Sequence, residues 1–139
     1  MEKSLKRKNR IIVLLLSILL FSCTDNNDSI DYSSIKGGWR CIESSEQGER
    51  TYLIDVYKKQ SETTTYLVSN FHKVGYDSFD DILITVVGNK ITIANQPLGS
   101  GQQLKAGSGT VSADFKQMSI QYRVTNGSTE IGYTANFTR

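Results

Sequence analysis

Residues 118–137 read MSIQYRVTNGSTEIGYTANF, and this stretch predicts a β-hairpin. Apolar side chains stand at every second position on both sides of the central Asn126-Gly127 dipeptide: Met118, Ile120, Tyr122 and Val124, then Ile131, Tyr133, Ala135 and Phe137. A period of two places these side chains on one face of each strand. Asn-Gly favours a tight hairpin turn because both residues tolerate positive φ. The stretch therefore predicts two antiparallel strands with one buried face.

The same pattern of short β-branched and aromatic runs, separated by turn residues, extends back to Gly37 with almost no helical periodicity. Eight strands are predicted, at residues 39–45, 50–59, 63–71, 81–87, 90–95, 104–112, 117–125 and 130–138. The short connections favour an antiparallel meander, and the longest predicted loops are 72–80 and 96–103. Eight such strands hide their edges either in a closed up-and-down barrel or in a sandwich.

Residues 1–22 predict an export signal. Five basic residues precede an uncharged, mostly aliphatic run of 11 residues from Ile11 to Phe21. This length is typical of a signal peptide and shorter than the ~20 residues that a membrane-spanning helix needs. The sequence LLFSC at residues 19–23 resembles a bacterial lipobox, which implies that Cys23 is acylated and becomes the new N-terminus. We therefore expect a lipoprotein whose membrane partner is reached through the lipid on Cys23.

Removing the leader changes the charge of the chain. The chain has 16 basic and 14 acidic residues, and the leader holds five of the basic and one of the acidic residues. The mature protein therefore has 11 basic and 13 acidic residues and a net charge of −2. This balance argues against nucleic-acid binding.

Residues 23–36 predict a polar, lipidated tether, within which Asp28-Ser29-Ile30 resembles an O-glycosylation motif of Bacteroidota. With Cys23 acylated, Cys41 has no partner in the chain and is predicted to be a buried thiol.

A family resemblance begins with Gly37-Gly38-Trp39, which matches the Gly-x-Trp signature at the first strand of lipocalins. Further matching segments follow in order: SNFHKVG at 69–75, VVGNKITIANQ at 86–96, GSGTVSADFKQMSIQYRV at 107–124 and YTANFTR at 133–139. Over most of residues 37–139 the chain resembles the small lipocalin-like, or calycin-like, lipoproteins of Bacteroidota. This resemblance implies an all-β, antiparallel, eight-stranded up-and-down barrel behind the signal peptide, anchored at the outer membrane on its periplasmic face or at the cell surface.

The resemblance also implies roles for three residues at the barrel floor. Gly37 allows the chain to pass under Trp39, and Arg139 packs over the indole ring, with Arg123 as the second candidate. Residues 37–139 are too few for the C-terminal helix and the long lid loop of full lipocalins. A barrel of eight strands encloses either packed side chains or one small ligand, and the sequence leaves both alternatives open.

The sequence predicts no catalytic residue, metal site or cofactor. His72 is the sole histidine and is predicted to lie at the rim or surface. Asp77, Asp80 and Asp81 could hold Ca²⁺ with their oxygens, but their order does not match an EF-hand, so they are predicted to be solvated loop charges.

Two functions lead at this level, and an enzyme that uses His72 with the loop at 77–81 is a less favoured third. The first is a binding module for a small apolar or amphipathic ligand, with Tyr52, Tyr66, Tyr122 and Tyr133 as candidate lining residues if they do not simply fill the core. The second is an interaction or accessory protein, such as a protease inhibitor or an envelope-complex subunit, that uses its outer surface. The second strand favours this alternative because Leu53 and Tyr57 place apolar groups on its outer face as well.

Overall fold

The computed structural model describes residues 34–139. The signal peptide, Cys23, most of the tether and Asp28-Ser29-Ile30 lie outside the described residues. Within residues 34–139 there are ten strands: β1 Gly37–Ser45, β2 Gly48–Lys58, β3 Thr65–Ser69, β4 Ile82–Val87, β5 Lys90–Ile93, β6 Gln96–Leu98, β7 Gln102–Leu104, β8 Gly107–Val111, β9 Gln117–Thr125 and β10 Glu130–Thr138. Two single 3-10 turns join β3 to β4. Within this part of the chain, no helix has the length and apolar character to cross a membrane.

Eight of the ten strands close into an antiparallel barrel. Each of β1 to β4 pairs with the next strand, β5 pairs with β8, β8 pairs with β9, and β9 pairs with β10. Pairing of β10 with β1 closes the ring. The predicted eight-stranded antiparallel barrel is therefore confirmed, and the sandwich alternative is wrong.

Two predicted elements differ from the structure. The predicted loop at 96–103 forms a small hairpin of β6 and β7, and the predicted strand at 104–112 is divided into β7 and β8, which both pair with β9. The predicted strand at 63–71 ends at Ser69, because Asn70 and His72 adopt left-handed φ angles of 56° and 57° that no strand can continue.

The interior is filled by the protein's own side chains. Alternate residues of each strand point inward, and Trp39, Phe71 and Phe137 are the largest apolar side chains that are fully buried. Of the two alternatives that the sequence left open, the described residues show packed side chains and not a deep empty cavity.

Trp39 closes one end of the barrel, which we call the floor. Its Nε1 donates to the carbonyl of Ile35 at 2.9 Å, and the Arg139 guanidinium lies 4.4 Å from the ring centroid. Arg139 also donates from Nε to the carbonyl of Phe115 at 2.6 Å, so the last residue joins the floor to the β8–β9 connection. Arg123, the second candidate for this role, lies on the outer surface with Glu130 at 3.2 Å.

Two glycines allow β8 to lie very close to β9. A Cβ atom at Gly109 would lie 2.1 Å from the carbonyl oxygen of Ser119, and one at Gly107 would lie 2.8 Å from that of Gln121. Both obstacles are backbone atoms, so a side chain at either position would force the strands apart. The approach of these strands helps the short chain to close its barrel.

Gly109→Ala should therefore lower the free energy of unfolding by about 3 kcal/mol through overpacking. The matched control is Gly132→Ala on β10, where an added Cβ would meet nothing within 4 Å and a change within about 0.5 kcal/mol is expected. Urea unfolding followed by Trp39 fluorescence measures both. Equal effects of the two substitutions would contradict this account of the β8–β9 contact.

Candidate functional site

A buried carboxylate lies at the opposite end of the barrel from Trp39. This end, which we call the mouth, is formed by the β1–β2 and β9–β10 turns. Glu43 follows Trp39 and Cys41 at every second position of β1, so its side chain points inward, and it is only 1 % exposed. An ionised carboxylate inside a barrel is stable only when hydrogen bonds and charges replace its lost water.

Four side chains surround the Glu43 carboxylate, and we call the five residues together the mouth cluster. Tyr52 donates to Oε2 at 2.6 Å, and Tyr122 donates to the same oxygen. Arg50 donates from Nε to Oε1 at 2.5 Å. Arg50 lies opposite Glu43 in the β1–β2 register, and Tyr122 comes from β9, so the cluster connects three parts of the barrel wall.

His72 completes the cluster from the segment that follows β3. It is 5 % exposed, so the prediction of a rim or surface histidine is wrong. Its Nδ1 lies 2.6 Å from Arg50 Nη2, 2.8 Å from the Tyr122 hydroxyl and 3.3 Å from Glu43 Oε2. A guanidinium can only donate, so Nδ1 acts as the acceptor for Arg50 in this arrangement. Alternation along a strand could not indicate this burial, because His72 enters the barrel through a turn and not along a strand.

The cluster sets the charge of each member. Burial by itself raises the pKa of Glu43, but the hydrogen bonds within the mouth cluster outweigh this effect and lower that pKa to about 2. Burial, together with the nearby Glu43 charge, raises the pKa values of Tyr52 and Tyr122, which therefore stay protonated as donors. Burial disfavours the Arg50 cation, yet the Glu43 charge more than compensates and raises the Arg50 pKa.

Tyr133 forms the outer wall of the cluster and is half-buried. Its ring stacks on Tyr122 with centroids 5.5 Å apart and meets the His72 ring edge-on at 4.6 Å. The Arg50 guanidinium carbon lies 5.8 Å from the Tyr133 centroid. Three of the four predicted lining tyrosines thus gather at the mouth. The fourth, Tyr66, lies at the other end, near the floor. It is paired with Lys58 of β2 and packs against the core there.

An open cleft of about 240 Å³ lies beside the cluster. Its walls include Glu43, Gln47, Glu49, Arg50 and Tyr133. The cleft is therefore mostly polar, with one aromatic ring and one guanidinium on its inner side. It is a place where a small molecule can contact Arg50 without entering the packed interior.

The remaining candidates lie away from the mouth cluster. Asp77 accepts from the Phe79 backbone N–H at 3.1 Å, and Asp81 accepts from Ser69 Oγ at 2.7 Å, so these carboxylates serve local turns. No group of His, Cys, Asp or Glu within residues 34–139 is arranged to hold a metal ion. Cys41 is a buried free thiol, and burial raises its pKa to about 12.

The outer face of β2 to β4 carries exposed apolar side chains. Leu53 is 61 % exposed, and Tyr57, Leu67 and Leu83 lie side by side across three strands. Phe79, in the turn before β4, is 94 % exposed. The prediction that β2 is apolar on both faces is confirmed.

Comparison with known proteins leaves the family undecided. No protein-family model matches the chain, and none of the curated proteins matches its sequence. The closed eight-stranded antiparallel barrel is compatible with a lipocalin-like fold.

Glu43→Gln should destabilise the protein at pH 7 by about 3 kcal/mol, because it removes the charge that Arg50 and both tyrosines bind. The Glu43 pKa is lowered from 4.5 to about 2 in the folded state, so its stabilising effect is present above pH 4.5 and is lost as the pH falls through 2. The difference between wild type and variant should therefore shrink between pH 5 and pH 2. Urea unfolding at several pH values measures it.

The control for this experiment is Glu49→Gln, which changes an exposed carboxylate two residues after the β1–β2 turn. This substitution should alter the stability by no more than about 0.5 kcal/mol at any of these pH values. A Glu43→Gln penalty that stays constant down to pH 2 would contradict the assignment of a charged, hydrogen-bonded Glu43.

Proposed function

We propose that the protein is a lipid-anchored envelope lipoprotein, without catalytic activity, whose barrel mouth binds a small amphipathic ligand. The observation that carries this proposal is that Arg50 belongs to the mouth cluster and also borders the open cleft. The anchor is the lipid on Cys23, and the barrel is held at the outer membrane.

Arg50 has donors left for a ligand. Its Nε and Nη2 groups are directed at Glu43 and His72, whereas Nη1 has no hydrogen-bond partner among residues 34–139. The Arg50 side chain is 36 % exposed and borders the cleft. A guanidinium presents five N–H donors in a fixed plane, so the outward pair is oriented before a ligand arrives. This pre-organisation favours binding, because little side-chain freedom is lost.

The cleft also favours one kind of ligand. Tyr133 offers part of an aromatic ring to an apolar group. Glu43 already balances the Arg50 charge, and Glu49 adds a second carboxylate to the cleft. A neutral acceptor such as a carbonyl, ether or hydroxyl therefore suits Arg50 better than another carboxylate, which would meet like charges. An amphipathic molecule with a neutral polar group is the class that we propose.

Binding of the fluorophore 6-propionyl-2-(dimethylamino)naphthalene tests this proposal, because it combines an apolar ring system with one neutral carbonyl. Wild type should bind it with saturation. Arg50→Met should raise its Kd about tenfold, since a charge-assisted hydrogen bond is lost. Tyr133→Leu, which removes no hydrogen bond of the cluster, should also weaken binding and covers the case in which Arg50→Met does not fold. Fluorescence titration measures each Kd.

Arg123→Met is the matched control, because Arg123 lies on the outer face of β9 and pairs with Glu130. It should leave the Kd unchanged. The proposal would be overturned if wild type did not bind the probe, or if Arg123→Met weakened binding as much as Arg50→Met.

The anchor is tested separately by Cys23→Ala in the full chain. Each buried methylene of an acyl chain contributes ~0.8 kcal/mol to membrane attachment, so loss of the acylated residue should release the protein from the membrane. Fractionation of cells that express wild type or variant, with immunoblotting, measures the distribution. Equal membrane association of both proteins would contradict anchoring through Cys23.

A further inference from the structure

The segment between β3 and β4, residues 70–81, has a strained backbone at its start. Asn70, His72 and Lys73 have φ angles of 56°, 57° and 61°, in the left-handed region that side chains other than that of glycine rarely adopt. Gly75 follows with a φ of 115°. Three such non-glycine residues within four positions persist only where the surrounding contacts hold them, and strain of this kind often accompanies a functional segment.

Two consecutive side chains hold this segment in the mouth. Phe71 is fully buried, with its ring centroid 4.8 Å from that of Tyr122 and 6.5 Å from that of Phe137. His72 accepts from Arg50 within the mouth cluster, and its backbone N–H donates to Tyr52 at 3.1 Å. We call Phe71 and His72 the plug.

The outer part of the segment is exposed to solvent. Tyr76 is 56 % exposed and Phe79 is 94 % exposed. Asn70 donates to the Leu53 carbonyl at 2.7 Å and accepts from the Gly75 N–H at 2.8 Å, and the Tyr76 hydroxyl donates to the same Leu53 carbonyl at 3.0 Å. Two backbone hydrogen bonds, from Lys73 to Asn70 and from Val74 to Phe71, close the turn itself. The segment therefore combines a buried plug, a strained turn and an exposed outer part.

We infer that the plug is displaceable and that the ligand takes its place in the mouth. The apolar part of the ligand then packs against Tyr122 and Phe137 where the Phe71 ring lies. Its neutral acceptor receives the Arg50 Nη2 hydrogen bond that His72 Nδ1 receives in the closed form. This inference rests on the proposed function and extends the site from the open cleft into the barrel.

The mouth cluster limits the class of ligand that can replace the plug. The departing groups are one aromatic ring and one neutral acceptor, and a close-packed interior admits a replacement of similar volume. A second anion beside the buried Glu43 carboxylate would be repelled. The ligand is therefore a small, uncharged molecule with an aromatic ring system or a branched chain and one carbonyl, ether or hydroxyl. Release of the left-handed turn offsets part of the cost of displacing Phe71.

A disulfide between the segment and the β6–β7 hairpin can hold the plug in place. A Cβ atom at Gly99 would lie 3.2 Å from the Val74 Cβ, just below the range of about 3.5–4.5 Å that disulfides show, so a small outward shift of the β6–β7 turn allows the bond. Gly99 does not adopt a left-handed φ. The Asp80 carboxyl, 3.0 Å from the same position, has to turn away. When the double variant Val74→Cys/Gly99→Cys is oxidised, its disulfide therefore holds the plug in place, and we call this state the locked form. Cys41 is buried and does not compete.

Titration of this double variant with the same naphthalene ketone tests the inference. The oxidised form should bind the probe at least tenfold more weakly than the reduced form, because binding requires the plug to move and locking removes the competent population. The reduced form should match wild type. A control disulfide from Thr85→Cys and Thr92→Cys, which face each other on β4 and β5, should leave the Kd unchanged by oxidation.

The outcomes separate the two proposals. Equal binding by the oxidised and reduced forms of Val74→Cys/Gly99→Cys overturns the displaceable plug and leaves binding at the open cleft intact. Absence of binding by wild type and by both forms overturns the proposed function and this inference with it. An equal loss of binding on oxidation of the Thr85/Thr92 control would also overturn the inference, since rigidity of the whole barrel would then explain the effect.

Discussion

The buried Glu43 carboxylate is the constraint on which the mouth of this barrel depends. A charge that has lost its water needs several partners, and each partner comes from a different place in the chain. Arg50 lies across the β1–β2 pair, Tyr122 is 79 residues away on β9, and His72 enters from the turn after β3. Satisfying one side chain therefore fixes the relative positions of three strands and one connection.

The two ends of the barrel are built by different physical means. At the floor, Trp39 is covered by Arg139 and donates to one backbone carbonyl, so the main contribution is the contact of an aromatic ring with a cation and with the core. At the mouth, hydrogen bonds among charged and phenolic groups take the place of apolar packing. The floor is closed by packing around Trp39, whereas the mouth holds hydrogen-bond donors such as Arg50 Nη1 at the edge of a cleft.

The side chains that fill the mouth of the barrel do not all belong to strands. Phe71 is fully buried, and it enters the interior from a segment with a left-handed backbone. The backbone of a strand cannot leave the barrel without breaking the hydrogen bonds to its neighbours. Phe71 and His72 belong to a turn, so their withdrawal would leave every strand pair of the barrel intact.

Part of the site was accessible from the sequence. In β1, Glu43 shares the inward face with Trp39 and Cys41, because the three residues alternate along the strand. In β2, Arg50 shares the inward face with Tyr52 and Ile54 for the same reason. A carboxylate and a guanidinium on facing inward positions were therefore a readable signal that the sequence analysis missed. His72 could not be placed in this way, because a left-handed turn breaks the alternation on which such reasoning depends.

The sequence by itself determined most of the strands and their antiparallel order, since period-two patterns and turn residues act locally. The choice of a closed barrel over a sandwich came from the family resemblance and not from the pattern. It also placed Tyr52, Tyr122 and Tyr133 on strands that face inward. Only the tertiary structure decided that these tyrosines meet at one end, that Tyr66 lies at the other, and that His72 is buried among them. The physical reason is that register and barrel closure bring together residues that are far apart in the chain, and no local pattern records which of them will meet.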